Sequence, residues 1–274
     1  MNILELLKIV ILGIVEGITE WLPISSTGHM LLFDEFLHLN MSESFKTMFF
    51  MLIQLGAIMA VVIIFWKKMF PFDIGNKDGC ILKKDTISLW LKVIVACIPG
   101  AIAKCTIGDF VEENFTSPII IAIALIFYGI LFIIIESWNK KKKSQINRLA
   151  DISYKIAFII GLFQVLSLIP GTSRSGSTII GALLIGVSRV SAAEFTFFLA
   201  VPAMIGASLL EIFKFGFNFT NSEFVGLTLG MLVSFLVSIL SIKFLIKYIK
   251  THDFKPFGWY RIVLGVIILI YLGM

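Results

Sequence analysis

Charge is scarce in this chain. Of its 274 residues only 15% are Asp, Glu, Lys or Arg, against 58% hydrophobic ones, and the mean hydropathy is +0.97. Soluble domains carry about 25% charged residues, so a water-exposed globular fold is excluded. Cysteine is scarcer still, at three residues. Cys80, Cys97 and Cys105 show neither C-x-x-C spacing nor an even count, which argues against a disulfide framework and for small apolar packing residues. Histidine also occurs three times. His38 and His252 fall near interfaces or in a basic loop and carry no assigned role, which leaves His29. The N-terminal apolar run contains Glu5 and Lys8 and lacks a small-residue cleavage site, so no removable signal peptide is expected.

What the chain has in plenty is apolar sequence in long runs. A spanning helix needs about 20 such residues. Six stretches qualify: Phe49 to Trp66, Thr86 to Lys104, Pro118 to Trp138, Glu194 to Phe213, Phe224 to Lys247 and Phe257 to Leu272. Four more, Ile3 to Leu22, Met30 to Leu39, Ala157 to Ile169 and Ile179 to Val187, are shorter or interrupted by Pro, Gly and charge, and read as half-helices. The expected fold is therefore an all-α integral membrane protein in a single membrane domain.

The net charge of +5 does not point to nucleic acid. Eighteen of the 23 Lys and Arg residues fall between spans: Lys67, Lys68, Lys77, Lys83, Lys84 and Lys92, then Lys140 to Lys143 with Arg148 and Lys155, then Arg189, then Lys243, Lys247, Lys250, Lys255 and Arg261. The positive-inside rule places these loops in the cytoplasm. The opposite loops hold Asp109, Glu112, Glu113, Glu211 and Glu223, and six crossings put both termini outside.

Two Ser/Gly-rich segments interrupt the apolar sequence, EGITEWLPISSTGH from Glu16 to His29 and PGTSRSGST from Pro170 to Thr178. At an offset near 148 the halves resemble each other weakly: Gly13 faces Gly161, Glu16 faces Gln164, and Gly28 faces Gly176. Three spans follow each break. Because three is odd, the second half enters the bilayer upside down relative to the first, an inverted-topology repeat. The expected boundaries are residues 1–138 for the first repeat, with a re-entrant helical hairpin over about 1–40, a basic cytoplasmic linker over 139–156, and residues 157–274 for the second repeat, with a re-entrant hairpin over about 157–188. Irregular backbone at membrane depth is tolerated where it is buried in protein or lines a wet cavity. The two tips are expected to meet in a polar pocket.

Glu16 and Glu20 lie four apart, on one face of a helix that Pro23 ends. Two carboxylates one turn apart repel in low dielectric, so either one is protonated or a cation sits between them. The first outcome gives an acid or base, the second a hard-metal site of the Mg or Ca type. Ser25 or Ser26 caps the next half-helix. Ser26, three residues before His29, is expected within hydrogen-bond reach of the imidazole, the arrangement that activates an oxygen nucleophile. Arg174 offers a planar fork for two phosphate oxygens. It is flanked by Ser173, Ser175 and Thr178, and the helix starting near Ser175 aims its N-terminal amides at the same place. Charge pairing of Arg174 with Glu16 or Glu20 fits the same geometry. Gln54 and Gln164 are further intramembrane amides available to the pocket. Together these groups suit hydrolysis of a phosphate ester or anhydride carried by a lipid.

These motifs resemble the undecaprenyl-diphosphate phosphatase family, also called the bacitracin-resistance family, over essentially the whole chain. The resemblance rests on ExxxE at Glu16 and Glu20, PxSSTGH from Pro23 to His29, and PGxSRSxxT from Pro170 to Thr178. It implies removal of the terminal phosphate of a polyprenyl (undecaprenyl) diphosphate, recycling the monophosphate carrier for peptidoglycan and other cell-wall glycans, with bacitracin resistance as a by-product. It implies a multi-pass protein of the bacterial plasma membrane with its site facing the outer side. It makes Ser26 the nucleophile, with water as a variant, and Glu20 and His29 its partners. Glu16 and Glu20 become ligands of a divalent cation, Mg or Ca, with no organic cofactor. Arg174 becomes the phosphate clamp, with Ser173, Ser175, Thr178 and Thr27 beside it. The expected partners are the lipid substrate and the bilayer, no nucleic acid, and room for a homodimer. The phosphatidate-phosphatase class, which uses a histidine nucleophile, is disfavoured because Ile180 stands six positions after Arg174 and no KxxxxxxRP occurs. A lipid or anion transporter or flippase on the same inverted repeat is the alternative from another class.

Overall fold

The computed structural model describes residues 2–73, 82–140, 144–216 and 219–273. Lys77, Cys80 and Lys141 to Lys143, used in the readings above, lie outside them. Among the described residues the elements are α1 (Ile3–Thr19), α2 (Ser26–Leu37), α3 (Glu43–Ile64), α4 (Trp66–Met69), α5 (Lys84–Phe115), α6 (Pro118–Asn139), α7 (Tyr154–Val165), α8 (Arg174–Leu184), α9 (Arg189–Phe215), α10 (Asn221–Ile249) and α11 (Lys255–Gly273). Pairing between extended segments is limited there to two isolated bridges.

Six helices, α3, α5, α6, α9, α10 and α11, are long and apolar enough to cross a membrane. They coincide with the six expected spans. Their outward faces are apolar: Ile94, Ile98 and Ile102 on α5, and Leu232, Leu236 and Leu240 on α10, are all exposed at helical spacing. That pattern suits lipid rather than water. The α5 helix runs further than expected, through Asp109, Glu112 and Glu113 to Phe115. Lys104 and Glu112, on exposed faces two turns apart, are ion-paired at 2.5 Å along this extension.

Besides the single turn of α4, four helices are short: α1 with 17 residues, α2 and α7 with 12 each, and α8 with 11. At about 1.5 Å per residue none but α1 approaches a full crossing. The first pair closes on itself. Lys8 Nζ donates to the His38 carbonyl at 2.9 Å and the Asn40 amide to Glu5 at 3.3 Å, so α1 begins where α2 ends. The second pair ends elsewhere: Asn139 Nδ2, on the last turn of α6, donates to the Leu183 carbonyl at the end of α8. The same end of the bundle holds the Lys68–Glu194 pair.

Glycines set the packing distances. A Cβ at Gly13 or Gly17 of α1 would sit 2.9 or 2.8 Å from the Gly230 or Ser234 carbonyl of α10, and one at Gly161 of α7 would sit 2.3 Å from the Ala96 carbonyl of α5. Close approach of backbones replaces the hydrophobic driving force that lipid does not supply. The shared core is aromatic, with Phe195, Phe197 and Phe198 of α9 buried and Trp21 edge-on to Phe197 at 5.2 Å. Of the cysteines, Cys97 is half-buried but Cys105 is exposed on α5, so the expected packing role does not hold for Cys105.

Candidate functional site

Both breaks are built the same way. Pro23 disfavours helical backbone at Leu22, and α1 ends at Thr19 with Glu20 in its cap. Ser25 then takes φ 76° and Ser173, after Pro170 and Gly171, takes φ 72°. For non-glycine residues this left-handed region costs about 1–2 kcal/mol. Each serine offsets that by capping the helix it opens: Ser25 Oγ accepts from the Gly28 amide at 3.3 Å, and Ser173 Oγ from the Gly176 amide at 3.1 Å. Ser25 rather than Ser26 is therefore the cap. Ser26 and Arg174 become the first helical residues of α2 and α8, with side chains free of capping duty.

The tips touch, and Glu20 lies between them. Its Oε2 accepts from Ser26 Oγ at 2.5 Å and its Oε1 from Arg174 Nη2 at 2.9 Å. Ser175 Oγ adds a bond to the Glu20 carbonyl at 3.3 Å. Arg174 Nη1 also reaches the Thr196 carbonyl of α9 at 3.3 Å. Arg174 and Ser173 keep partial exposure, while Glu20 and Ser26 are buried.

Two residues of α11 complete the arrangement, and the sequence reading assigned neither to it. Arg261, expected in a cytoplasmic loop, is fully buried. It donates to the Pro23 carbonyl at 3.2 Å and to the Gly171 and Thr172 carbonyls at 2.8 Å each, tying one break to the other. Its neighbour Tyr260 lies 2.7 Å from His29 Nε2. Arg261 sits inside the apolar run from Phe257 to Leu272, and that was the available signal: an arginine there demands partners as Arg174 does. Lys92, also counted as a loop residue, lies on α5 and donates to the Ala150 carbonyl at 3.1 Å.

Several expected contacts differ. His29 does not reach Ser26: its Nδ1 meets the Ser25 carbonyl at 2.7 Å and its Nε2 meets Tyr260, so both ring nitrogens are engaged while the Ser26 hydroxyl turns to Glu20. Thr178 is wholly buried, with its hydroxyl shared among the Arg174 and Ser175 carbonyls and Thr196 Oγ1, so it braces α8 instead of facing a ligand. Ser175 is likewise buried and spent on Glu20 and Ser173. Thr27 is exposed beside the tip. Gln164 is buried with an unpartnered Oε1, and Gln54 is half-buried on α3.

Glu16 is fully buried and neither of its carboxylate oxygens has a hydrogen-bond partner. An orphaned carboxylate one turn from Glu20 fits a hard divalent cation. Among the described residues no group of three or more His, Cys, Asp or Glu surrounds such an ion, so protein ligation would stop at Glu16 and Glu20. Mg²⁺ is commonly held that way, by one or two carboxylates with phosphate oxygens and water filling the other positions. A cavity of about 790 Å³ lies elsewhere, lined by Glu136, Asn139, Arg189 and Lys250 among others and by none of these residues. The Glu136–Arg189 pair at 2.6 Å lies in its lining; the convergence of carboxylate, hydroxyl and guanidinium at the tips, rather than volume, marks the chemistry.

Comparison with known proteins places the chain among relatives matched over nearly its full length. The model of the bacitracin resistance protein BacA family matches residues 9–267. An Enterococcus faecalis protein named undecaprenyl-diphosphatase is 65% identical over 270 residues, covering 98% of each chain. A Lachnoclostridium phytofermentans protein of the same name is 60% identical over 268 residues, covering 98% of this chain and 97% of its own. Undecaprenyl-diphosphatase 1 of Clostridium acetobutylicum is 55% identical over 272 residues, covering 99% and 98%.

Proposed function

The chain belongs to the bacitracin resistance protein BacA family, and from that premise we propose that it hydrolyses undecaprenyl diphosphate, or a closely similar polyprenyl diphosphate, to the monophosphate carrier and inorganic phosphate. Recycling of that carrier for cell-wall glycan synthesis, and resistance to bacitracin, follow from the activity. The observation that carries the reading is the Glu20 carboxylate, which accepts from the Ser26 hydroxyl on one oxygen and from the Arg174 guanidinium on the other.

In the reaction, Ser26 Oγ attacks the terminal phosphorus and its proton passes to Glu20. The bond to the bridging oxygen breaks and the polyprenyl monophosphate leaves. Water then attacks the phosphoserine, giving up a proton and returning Ser26 with inorganic phosphate. Arg174 keeps N–H donors for the phosphoryl oxygens beyond the two that hold Glu20 and Thr196, and the first amides of α8 add partial positive charge. Ser173 stands at the accessible rim. Glu16, with Glu20, would hold the divalent cation, Mg or Ca, which when bound neutralises charge gathering on the phosphate.

The halves are read as an inverted repeat of 1–138 and 157–274 about a basic linker, each opening with a re-entrant hairpin. Support comes from the matched serine conformations at Ser25 and Ser173 and from crossed packing, α1 of the first half on α10 of the second, and α7 of the second half on α5 of the first. The same charge asymmetry supports a bacterial plasma membrane location with the site facing the outer side. A homodimer is not required, since every side chain named in the reaction comes from one chain. The deciding experiment is phosphate release by the purified protein in detergent across a lipid-diphosphate series, with and without chelator. A pure transporter, lacking a second compartment, releases none.

A further inference from the structure

His29 is held by two groups that lie on different parts of the chain. Its Nδ1 faces the Ser25 carbonyl at 2.7 Å. A carbonyl can only accept, so Nδ1 carries a proton, and in the neutral ring the lone pair is at Nε2. Nε2 faces the Tyr260 hydroxyl at 2.7 Å, which therefore donates to it. The two rings lie nearly parallel, 6° apart in plane with centroids 5.5 Å apart. His29 is only 3% exposed, whereas Tyr260 is 45% exposed. The phenol thus lies between the one basic nitrogen of the imidazole and the outside of the bundle.

Among the described residues no other titratable group hydrogen-bonds the ring, although the Arg261 charge lies close enough to act on it electrostatically. From α11 the neighbour of Tyr260 is Arg261, whose guanidinium is spent on the Pro23, Gly171 and Thr172 carbonyls. From α6 the groups packed beside Gly28 are Ile121 and Leu125, and Tyr128 of α6 lies against Arg261 with 5.7 Å between guanidinium carbon and ring centroid. Because Arg261 anchors α11 to both breaks, the position of Tyr260 over His29 is fixed by the same interaction that joins the tips.

We infer that Tyr260 is a positioning residue for His29: its hydroxyl holds the ring plane and the Nδ1–H tautomer, and any proton entering or leaving the imidazole does so at Nε2, past the phenol. The catalytic consequence rests on the phosphatase reading given above and on the further premise, implied by the family resemblance, that His29 carries a proton elsewhere in that reaction than at the Ser26 hydroxyl. The arrangement itself does not, because it concerns only His29, Ser25 and Tyr260. Tyr260 touches none of the groups assigned to the phosphate, so its loss should act on turnover and not on substrate affinity.

The test uses the full chain in detergent, labelled with ¹⁵N histidine. His29 is assigned among the three histidines by comparison with His29→Gln. In the unaltered protein the His29 spectrum should show a protonated Nδ1 and an Nε2 resonance displaced by an accepted hydrogen bond. Tyr260→Phe keeps the ring stacking and removes the hydroxyl. It should move the Nε2 resonance toward that of an unbonded imidazole nitrogen, lower kcat on the order of tenfold with KM changed by less than about twofold, and shift the histidine limb of the pH profile. Tyr260→Leu should do the same and also broaden the ring signals. An Nε2 resonance unmoved in Tyr260→Phe, or a kcat and pH profile identical to the parent, overturns the inference. Thermal unfolding of each variant separates a positioning loss from a folding loss. If the unaltered protein released no phosphate from any lipid diphosphate, the phosphatase reading would fail while the spectral arm still judged the tyrosine.

Discussion

The Ser26 hydroxyl and the Glu20 carboxylate lie 2.5 Å apart in a buried site, although they stand six positions apart in sequence across a helix break. On the proposed mechanism Glu20, which accepts the Ser26 hydrogen bond, takes the serine proton rather than His29. Ser26→Ala should therefore abolish any phosphoserine and lower phosphate release by at least about 10²-fold. Rapid-quench labelling with terminal-³²P lipid diphosphate checks it. Substantial turnover without a labelled enzyme would identify water as the attacking group.

Arg174→Lys retains the charge but cannot reach the Glu20 carboxylate and the Thr196 carbonyl together from one planar group. A loss of about 10²-fold in kcat/KM is expected, comparable to removal of one preorganised donor. Steady-state kinetics on the purified variant decide it, and near-parental values would show that a point charge suffices.

Glu16→Gln replaces the orphaned carboxylate with a neutral amide of the same shape. The free Mg²⁺ or Ca²⁺ concentration giving half-maximal phosphate release should rise by about tenfold or more, since one of two anionic ligands is lost. Metal titration after chelation measures it. An unchanged metal profile would assign Glu16 to proton chemistry instead.

One substitution, made at two glycines, should have opposite effects. At Gly161 an added Cβ meets the Ala96 backbone at 2.3 Å, whereas at Gly206 of α9 nothing lies within 4 Å. Gly161→Ala should destabilise by about 1–3 kcal/mol through overpacking. Gly206→Ala should be neutral or stabilising by up to about 1 kcal/mol, because alanine gives up less backbone freedom in a helix. Thermal unfolding in detergent compares the two directly.

Much of this site was legible before any coordinates. The six spans follow from apolar length alone, and Glu16, Glu20, Ser26 and Arg174 were visible because polar groups in apolar sequence must find one another. What stayed hidden depended on distant contacts. Tyr260 and His29 are 231 positions apart, and no local pattern links them. The short spacing from Ser26 to His29 pointed to a contact, but the left-handed backbone at Ser25 turns its carbonyl onto the ring and leaves the next hydroxyl facing Glu20. The hydroxyls of Ser175 and Thr178 looked equivalent to that of Ser173, yet Thr178 turns back to carbonyls of its own helix and Ser175 crosses to the Glu20 carbonyl of the other break. Arg261 escaped notice for a simpler reason: it shares a stretch with Lys250 and Lys255, and the charge rule absorbed all three.

The dependence of both breaks on Arg261 also bears on how the tips come together. The carbonyls of Pro23, Gly171 and Thr172 belong to segments that leave the ribosome well before α11, so during translation those tips lack the guanidinium that joins them. The junction of the two breaks through the guanidinium is complete only once α11 is present.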